Sequence, residues 1–241
     1  MPVLLFLYPN ETPAAITSIS LTVACFNAIS GSIAYGRLKR IDYKSGLFFS
    51  LTAIPGAIIG AYIISFLNRS IFQYVFGVIV LIVAAYLLAR PGKKITLGFL
   101  QKRQTHRQLY DSQRNIYNYS FNLPSGMFIA FFVGVISGLL GIGGGIVHVP
   151  ALTQVLCFPA HVATATSHFM VAITTFAAID THVVSGTFSG DIGVTLVLSA
   201  GVVVGAQFGA RLSEKVTGVL IVRLLALGLI IVALRLLIAP I

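Results

Sequence analysis

Apolar residues run along this chain in blocks of a size that strands do not reach. A helix needs about 20 predominantly apolar residues to cross a bilayer. Seven stretches meet that requirement: Ala14 to Tyr35, Gly46 to Leu67, Ser70 to Leu88, a run opening at Gly126, Ala160 to Val183, Asp191 to Leu212, and Val216 to Ile238. The pattern predicts an all-α polytopic membrane protein with about seven transmembrane helices. A polar, basic stretch separates the third run from the fourth, Arg90 to Asn122. It is expected to be a solvated connector, or one that rests its Leu, Phe and Tyr side chains on the lipid headgroups. The expected organisation is three spans in residues 1–90, a linker over 91–124 and four spans in 125–241.

The fourth run does not end as a helix should. It leads into "GLLGIGGGIVHVP", Gly138 to Pro150, with five glycines in eight residues and then a histidine and a proline. Each glycine costs a helix about 1 kcal/mol relative to alanine, and Pro150 removes a backbone donor. The helix is therefore expected to unwind at Gly143 to Gly145. Unwound backbone at membrane depth is tolerated only where it is buried in protein or lines a wet cavity. Amide groups beside a new helix start attract anions. Gly141, Gly143, Gly144, Gly145, His148 and Pro150 thus become candidate substrate contacts. The competing reading is close helix packing through small residues. A dinucleotide-binding fingerprint is excluded, because the sixth position counted from Gly141 is Ile146 and no strand precedes it.

The chain also repeats itself. "TAIPGAIIGAYIISFL" (Thr52 to Leu67) matches "LSAGVVVGAQFGARLS" (Leu198 to Ser213), so that Gly56 and Gly60 correspond to Gly201 and Gly205, 145 residues on. "AITSIS" (Ala15 to Ser20) matches "VATATS" (Val162 to Ser167) at a spacing of 147, and Pro2 matches Pro150. The first three spans then correspond to the last three, and the fourth has no counterpart. The chain reads as the second to eighth spans of an eight-span plan. Four spans per half predict two parallel pseudo-repeats related by an axis along the membrane normal. A re-entrant segment at the glycine motif would change that count.

The repeat pairs further polar residues. Thr164, Thr166 and Ser167 stand against Thr17, Ser18 and Ser20, each set early in a span, with Asn27 and Thr174 two turns further on. Hydroxyls can donate to an oxyanion without adding a buried positive charge, but Ser and Thr also bond the preceding turn of their own helix. Gly56/Gly60 and Gly201/Gly205/Gly209 suit close helix packing, and Gln207 between them is a further candidate to face a cavity. Of the histidines, His161 and His182 fall near span ends. His148 and His168 are the candidates for proton coupling or substrate contact. Arg223 and Arg235, toward opposite ends of the last span, can snorkel.

Composition agrees with the membrane class. Hydrophobic residues make up 57 % and charged residues 9 %, against about 25 % charged in a soluble domain. The net charge of +10 raises nucleic acid as a partner, but eleven of the sixteen Lys and Arg lie in Arg37 to Lys44 and Arg90 to Arg114. Basic loops flanking apolar spans mark the cytoplasmic face, so nucleic-acid binding is set aside. Strict alternation puts the "SGTFSGD" loop (Ser185 to Asp191) on that same face and Arg69, Arg211 and Lys215 on the other. Cys25 and Cys157 have no metal-ligand spacing and read as buried thiols. The opening "MPVLLFLYPNE" lacks the basic region of a signal peptide. No cofactor is implied.

"GLLGIGGGIVHVPALTQVL…PAHVATATSHFMVAITTFAA" resembles the signature half of the sulfite exporter TauE/SafE family of membrane permeases. "ISGSIAYGRLKRIDYKSG…IPGAIIGAYI" resembles the portion that follows the equivalent motif in that family's first half. The resemblance implies a multi-pass permease of the cytoplasmic (inner) membrane that moves small sulfur-containing anions such as sulfite. It makes Gly143 to Gly145 and Pro150 the substrate-proximal break, with Thr164, Thr166 and Ser167 in the adjoining shell. The first-half glycine motif is absent from this sequence. The expected activity is alternating access for a small anion, with any coupling drawn from a proton or ion gradient. The rivals are an intramembrane His-dependent metal enzyme built on His148 and His168, and a membrane scaffold that transports nothing. The oligomeric state stays open.

Overall fold

The computed structural model describes residues 4, 7–8, 10–89, 104–186, 192–213, 216 and 218–238. Long helices follow the seven apolar runs to within a few residues: α1 (Pro13–Arg37), α2 (Tyr43–Ile63, extended by a 3-10 turn over Ile64–Phe66), α3 (Arg69–Ala89), α4 (Leu123–Leu140), α6 (Ala160–Val184), α7 (Ile192–Ser213) and α8 (Gly218–Ile238). Between α4 and α6 lies a short helix, α5 (Gly145–Pro150), which continues into a π turn over Ala151–Val155. Three of the starts are capped by side chains from the residue just before the helix. Thr12 accepts from the Ala15 amide, Asp42 from Ser45 and Asn122 from Ser125, each satisfying an amide that the helix itself cannot.

Large apolar side chains such as Leu51, Phe66, Phe128, Phe176, Val197 and Phe208 face outward. Polar ones such as Thr17, Ser18, Ser50, Thr166 and Thr174 are buried. This inverts the usual soluble distribution and suits a lipid surround. Cys25 is buried as expected, whereas Cys157 is only half-buried and has a left-handed backbone, φ +60°.

The fold departs from all-α at the linker. Residues 90–103 lie outside the described set, but residues 104–122 form an antiparallel hairpin of β1 (Gln104–Tyr110) and β2 (Ile116–Asn122), registered from Gln104 opposite Asn122 to Tyr110 opposite Ile116. The expected connector thus carries a β-hairpin that the sequence reading did not foresee. In β2, Tyr117, Tyr119 and Phe121 alternate with Asn118, Ser120 and Asn122, the period of a half-buried strand. Asp111 closes the turn by accepting from the Gln113 and Asn115 amides at 2.8 and 2.9 Å. The Tyr119 and Phe121 rings lie 4.5 and 4.9 Å from that of Phe158.

The hairpin is pinned to the α1–α2 loop. Arg40 pairs with Asp111 at 3.2 Å with both side chains almost wholly buried, the Ser112 amide donates to the Leu38 carbonyl, and the Tyr119 hydroxyl donates to Asp42 at 2.8 Å. The Asp42 amide in turn donates to Thr166 Oγ1 at 3.0 Å. This anchors the start of α6 on the hairpin side of the molecule.

That placement corrects the expected relation between the halves. The chain turns back at the glycine motif, so α5 and its π turn return toward the hairpin and α6 runs away from it again. Helices α1 and α6 consequently pack antiparallel. Tyr35 meets His168, Cys25 meets the Ala172 carbonyl, and Leu21 clusters with Ala178. The two halves are related by inversion, not by an axis along the normal, because the re-entrant segment adds one reversal. Ser185 and Gly186, at the end of α6, therefore lie away from the hairpin. Arg211, at the end of α7, joins the basic side, since its neighbour Ala210 clusters with Ala34 and Ile41. Residues 187–191 and Lys215 are outside the described residues, as is the side chain of Arg235; Arg223 is exposed.

Helix α4 packs on α2 backbone to backbone. A Cβ added to Gly56 would sit 2.2 Å from the Phe131 carbonyl oxygen, and one on Gly60 2.1 Å from that of Val135. Gly134 and Gly138 return the contact against the Ala53 and Ala57 carbonyls at 2.3 and 2.2 Å. The small-residue spacing thus serves close packing here.

Candidate functional site

Helix α4 stops where the glycines begin. Gly141 has φ +62° and donates its amide to the Ser137 carbonyl at 3.0 Å; Gly143 and Gly144 have φ +68° and +76°. Three left-handed positions among four residues cannot continue a helix. The expected break is present and begins two residues before Gly143. It is wedged between α1 and α6: a Cβ on Gly141 would meet Thr17 Cγ2 at 2.6 Å, and one on Gly143 would meet Ala24 and Thr175 at 2.9 and 3.0 Å. Gly144 caps α5, and Pro150 closes it inside the bundle.

Beside the break, a cavity of about 310 Å³ opens between α1, α5 and α6. Gly145 contributes backbone to it, and Asn27, Thr164, Ser167 and His168 are its polar lining. The rest of the wall is apolar, including Ile142, Ile146 and Val171. Inverted-repeat transporters place substrate sites in this setting, at the repeat interface beside a discontinuous helix.

The other sequence candidates lie elsewhere. His148 is buried, with Nδ1 3.0 Å from the Gly144 carbonyl; it braces the break and does not line the cavity. Thr17 is sealed beneath Gly141. Ser18 donates to the Ala15 carbonyl at 2.7 Å, and Ser20 is buried. Thr166 accepts from Asp42 as described. Gln207 donates to the Ser30 carbonyl and hydroxyl at 2.9 Å, tying α7 to α1. Even within the cavity, Thr164 donates to the Ala160 carbonyl and Ser167 to that of Thr164, both at 2.9 Å. Their hydrogens must rotate off the helix to meet a substrate.

His168 is set differently. Its Nδ1 lies 3.0 Å from the Thr164 carbonyl, and a carbonyl only accepts, so Nδ1 carries a proton and donates. Nε2 is then a bare acceptor in the neutral ring and a donor once protonated. The ring lies 5.3 Å from that of Tyr35 and against Gly31, where a Cβ would be 2.3 Å from Cδ2. Among the described residues, no three His, Cys, Asp or Glu side chains gather as a metal-ligand set.

Sequence reasoning missed Asp42. Its carboxylate caps α2, accepts from Tyr119 and lies 3.7 Å from Arg107 Nε. Burial and the adjacent Asp42 charge push the Tyr119 hydroxyl far above the usual tyrosine range, so it is a fixed donor in this cluster. The available signal was an acidic residue a few positions ahead of an apolar run, where a helix cap is expected.

Known proteins resemble this chain over most of its length. The family model described as "Sulfite exporter TauE/SafE" matches residues 1–236. The "Probable membrane transporter protein YunE" of Bacillus subtilis is 33 % identical over 234 residues, which cover 95 % of this chain and 83 % of that protein. The "Probable membrane transporter protein MJ0441" of Methanocaldococcus jannaschii is 20 % identical over 229 residues, covering 90 % and 78 %. No solved structure matches.

Proposed function

Since the chain belongs to the sulfite exporter TauE/SafE family and is a multi-pass membrane transporter, we propose that it carries a small anion, sulfite or a related sulfur oxyanion, across the cytoplasmic membrane. The observation that carries this reading is the glycine break opening beside a cavity whose polar lining is Asn27, Thr164, Ser167 and His168. Among the described residues the lining holds no carboxylate, and its amide and hydroxyl donors suit an anion. The hairpin side, with its basic loops, faces the cytoplasm.

The proposed cycle is alternating access. The anion enters the cavity, takes hydrogen bonds from Asn27 and the rotated hydroxyls, and leaves on the other side as one half rocks against its inverted partner. His168 supplies the coupling. In the neutral ring Nε2 can only accept and offers the anion nothing; once protonated it can donate to it. One proton therefore favours loading of one anion, and the gradient of the first drives the second. The arrangement favours carriage over chemistry, because no metal-ligand set and no paired nucleophile and base face the cavity among the described residues.

The test is uptake of radiolabelled sulfite by proteoliposomes holding the purified chain. Saturable uptake that accelerates on preloading with unlabelled sulfite is expected. Vesicles no leakier to sulfite than protein-free ones would overturn the proposal.

A further inference from the structure

Helix α1 presents one stripe of residues to α6. Asn27, Gly31 and Tyr35 stand four apart, a spacing that stacks positions on one helix face. Thr164 and His168, opposite them, are also four apart. Asn27, Thr164 and His168 line the cavity beside the break. The His168 ring is held from three directions. Its Nδ1 donates to the Thr164 carbonyl at 3.0 Å, the Tyr35 ring lies 5.3 Å away, and the backbone of α1 closes on it at Gly31. A Cβ on Gly31 would lie 2.3 Å from His168 Cδ2, 3.0 Å from Nε2 and 3.2 Å from Cγ, and these are the three atoms nearest to it.

The backbone does not call for glycine at this position. Gly31 lies inside α1 and is not one of the left-handed glycines, and in a helix interior glycine costs about 1 kcal/mol relative to alanine. The internal repeat offers an independent comparison. At its spacing of 147, Gly31 corresponds to Ala178 and His168 to Leu21, and Leu21 and Ala178 share a buried cluster. Where the inserted side chain is leucine, its seat on the neighbouring helix carries a methyl group. Where it is an imidazole, the methyl group is missing and the ring takes its room.

We infer that Gly31 is a positioning residue for transport: by omitting one methyl group it seats the His168 ring with Nδ1 on the Thr164 carbonyl and Nε2 at the cavity. Forced aside, the ring loses that bond, and with it the fixed tautomer that makes Nε2 the atom that takes up the proton. The other titratable side chains packed around this part of α6 do not replace it. Tyr35 faces the ring from α1. Cys25 and His148 are turned to the Ala172 and Gly144 carbonyls, and Tyr43 of α2 packs on Phe169. The inference rests on the coupling role given to His168 above.

Three readouts on the full chain test it. In the nitrogen NMR spectrum of isotope-labelled histidines, the His168 signals are assigned by their loss in His168→Ala. Gly31→Ala is expected to shift them and to leave those of the other histidines in place. In proteoliposomes, Gly31→Ala should slow sulfite uptake about tenfold, within the coupling range of touching residues, and flatten its pH profile. In detergent, Gly31→Ala should lower the Tm of the wild-type chain but not that of His168→Ala, where no ring remains to displace. If Gly31→Ala alone does not fold, the double variant is expected to fold. His168 signals unmoved by Gly31→Ala, an uptake profile lowered by one factor at every pH, or the same loss of Tm with and without the ring would each overturn the inference. A wild-type chain that carries no sulfite would end the coupling role and Gly31's part in it, and the spectrum would still read whether Gly31 seats the ring.

Discussion

At the scale of single residues, protonation states carry the sharpest consequences. Burial alone would raise the Asp111 carboxyl, but hydrogen bonds from Asn115, Arg40 and the Gln113 amide outweigh it and hold the group below the usual aspartate range. A depressed folded value contributes stability that is present above the ordinary aspartate value, about 4, and is lost as pH falls through the folded one. Hairpin docking is therefore expected to persist through mild acid and to loosen only below that range. Amide exchange at Gln113 and Asn115 reads this directly. Asp111→Asn should loosen the hairpin at neutral pH, since it leaves the buried Arg40 without a counter-charge, at a cost of up to about 3–5 kcal/mol. His168 gives the opposite sign. If its Nε2 must be protonated to hold the anion, flux rises as pH falls. His168→Gln, whose amide donates at any pH, should flatten that profile; a profile that keeps its slope would remove His168 from the coupling. Among the residues, the glycine break was legible because three adjacent glycines and a proline leave a helix few options. The fate of the hydroxyls was not, because a serine's sequence position does not say whether its hydrogen turns to a cavity or to the preceding turn. Ser18, Thr164 and Ser167 all turn inward.

At the scale of elements, the helices were readable from apolar run length, and the hairpin was missed despite its signal. The alternation of Tyr117, Tyr119 and Phe121 with Asn118, Ser120 and Asn122 marks a strand as clearly as any apolar block marks a span. The surrounding basic charge drew attention to lipid headgroups instead. The α2–α4 contact is where one methyl group should matter most. Gly60→Ala would place carbon 2.1 Å from a backbone oxygen that cannot move without its helix. A loss of about 1–3 kcal/mol or more is expected from such overpacking, read as a lowered Tm in detergent. Gly205→Ala, where a Cβ would meet nothing within 4 Å among the described residues, should cost nothing and gain up to about 1 kcal/mol of helix propensity. A gain at both positions would show that helix propensity, and not contact, governs both.

For the whole molecule, the direction of the second half depended on one local event. Counting spans gives parallel halves; adding the return of α5 inverts them and moves the end of α6, at Ser185 and Gly186, to the other face. A chain of apolar blocks does not reveal whether a glycine break continues forward or doubles back. That is decided by packing, in this case by Gly141 against Thr17 and Gly143 against Ala24 and Thr175. Inversion brings the break, Asn27 and His168 to one cavity, and transport is argued from that meeting. The most direct measurement compares sulfite flux in proteoliposomes for Gly144→Ala and Gly186→Ala. Both force a side chain onto left-handed backbone, at φ +76° and +65°, but a Cβ on Gly186 would meet nothing within 4 Å among the described residues, while one on Gly144 would meet His148 Nδ1 at 2.6 Å and Ser137 Oγ at 2.8 Å. The account predicts a wild-type rate for Gly186→Ala and at least a tenfold loss for Gly144→Ala; indistinguishable rates for the two would contradict it.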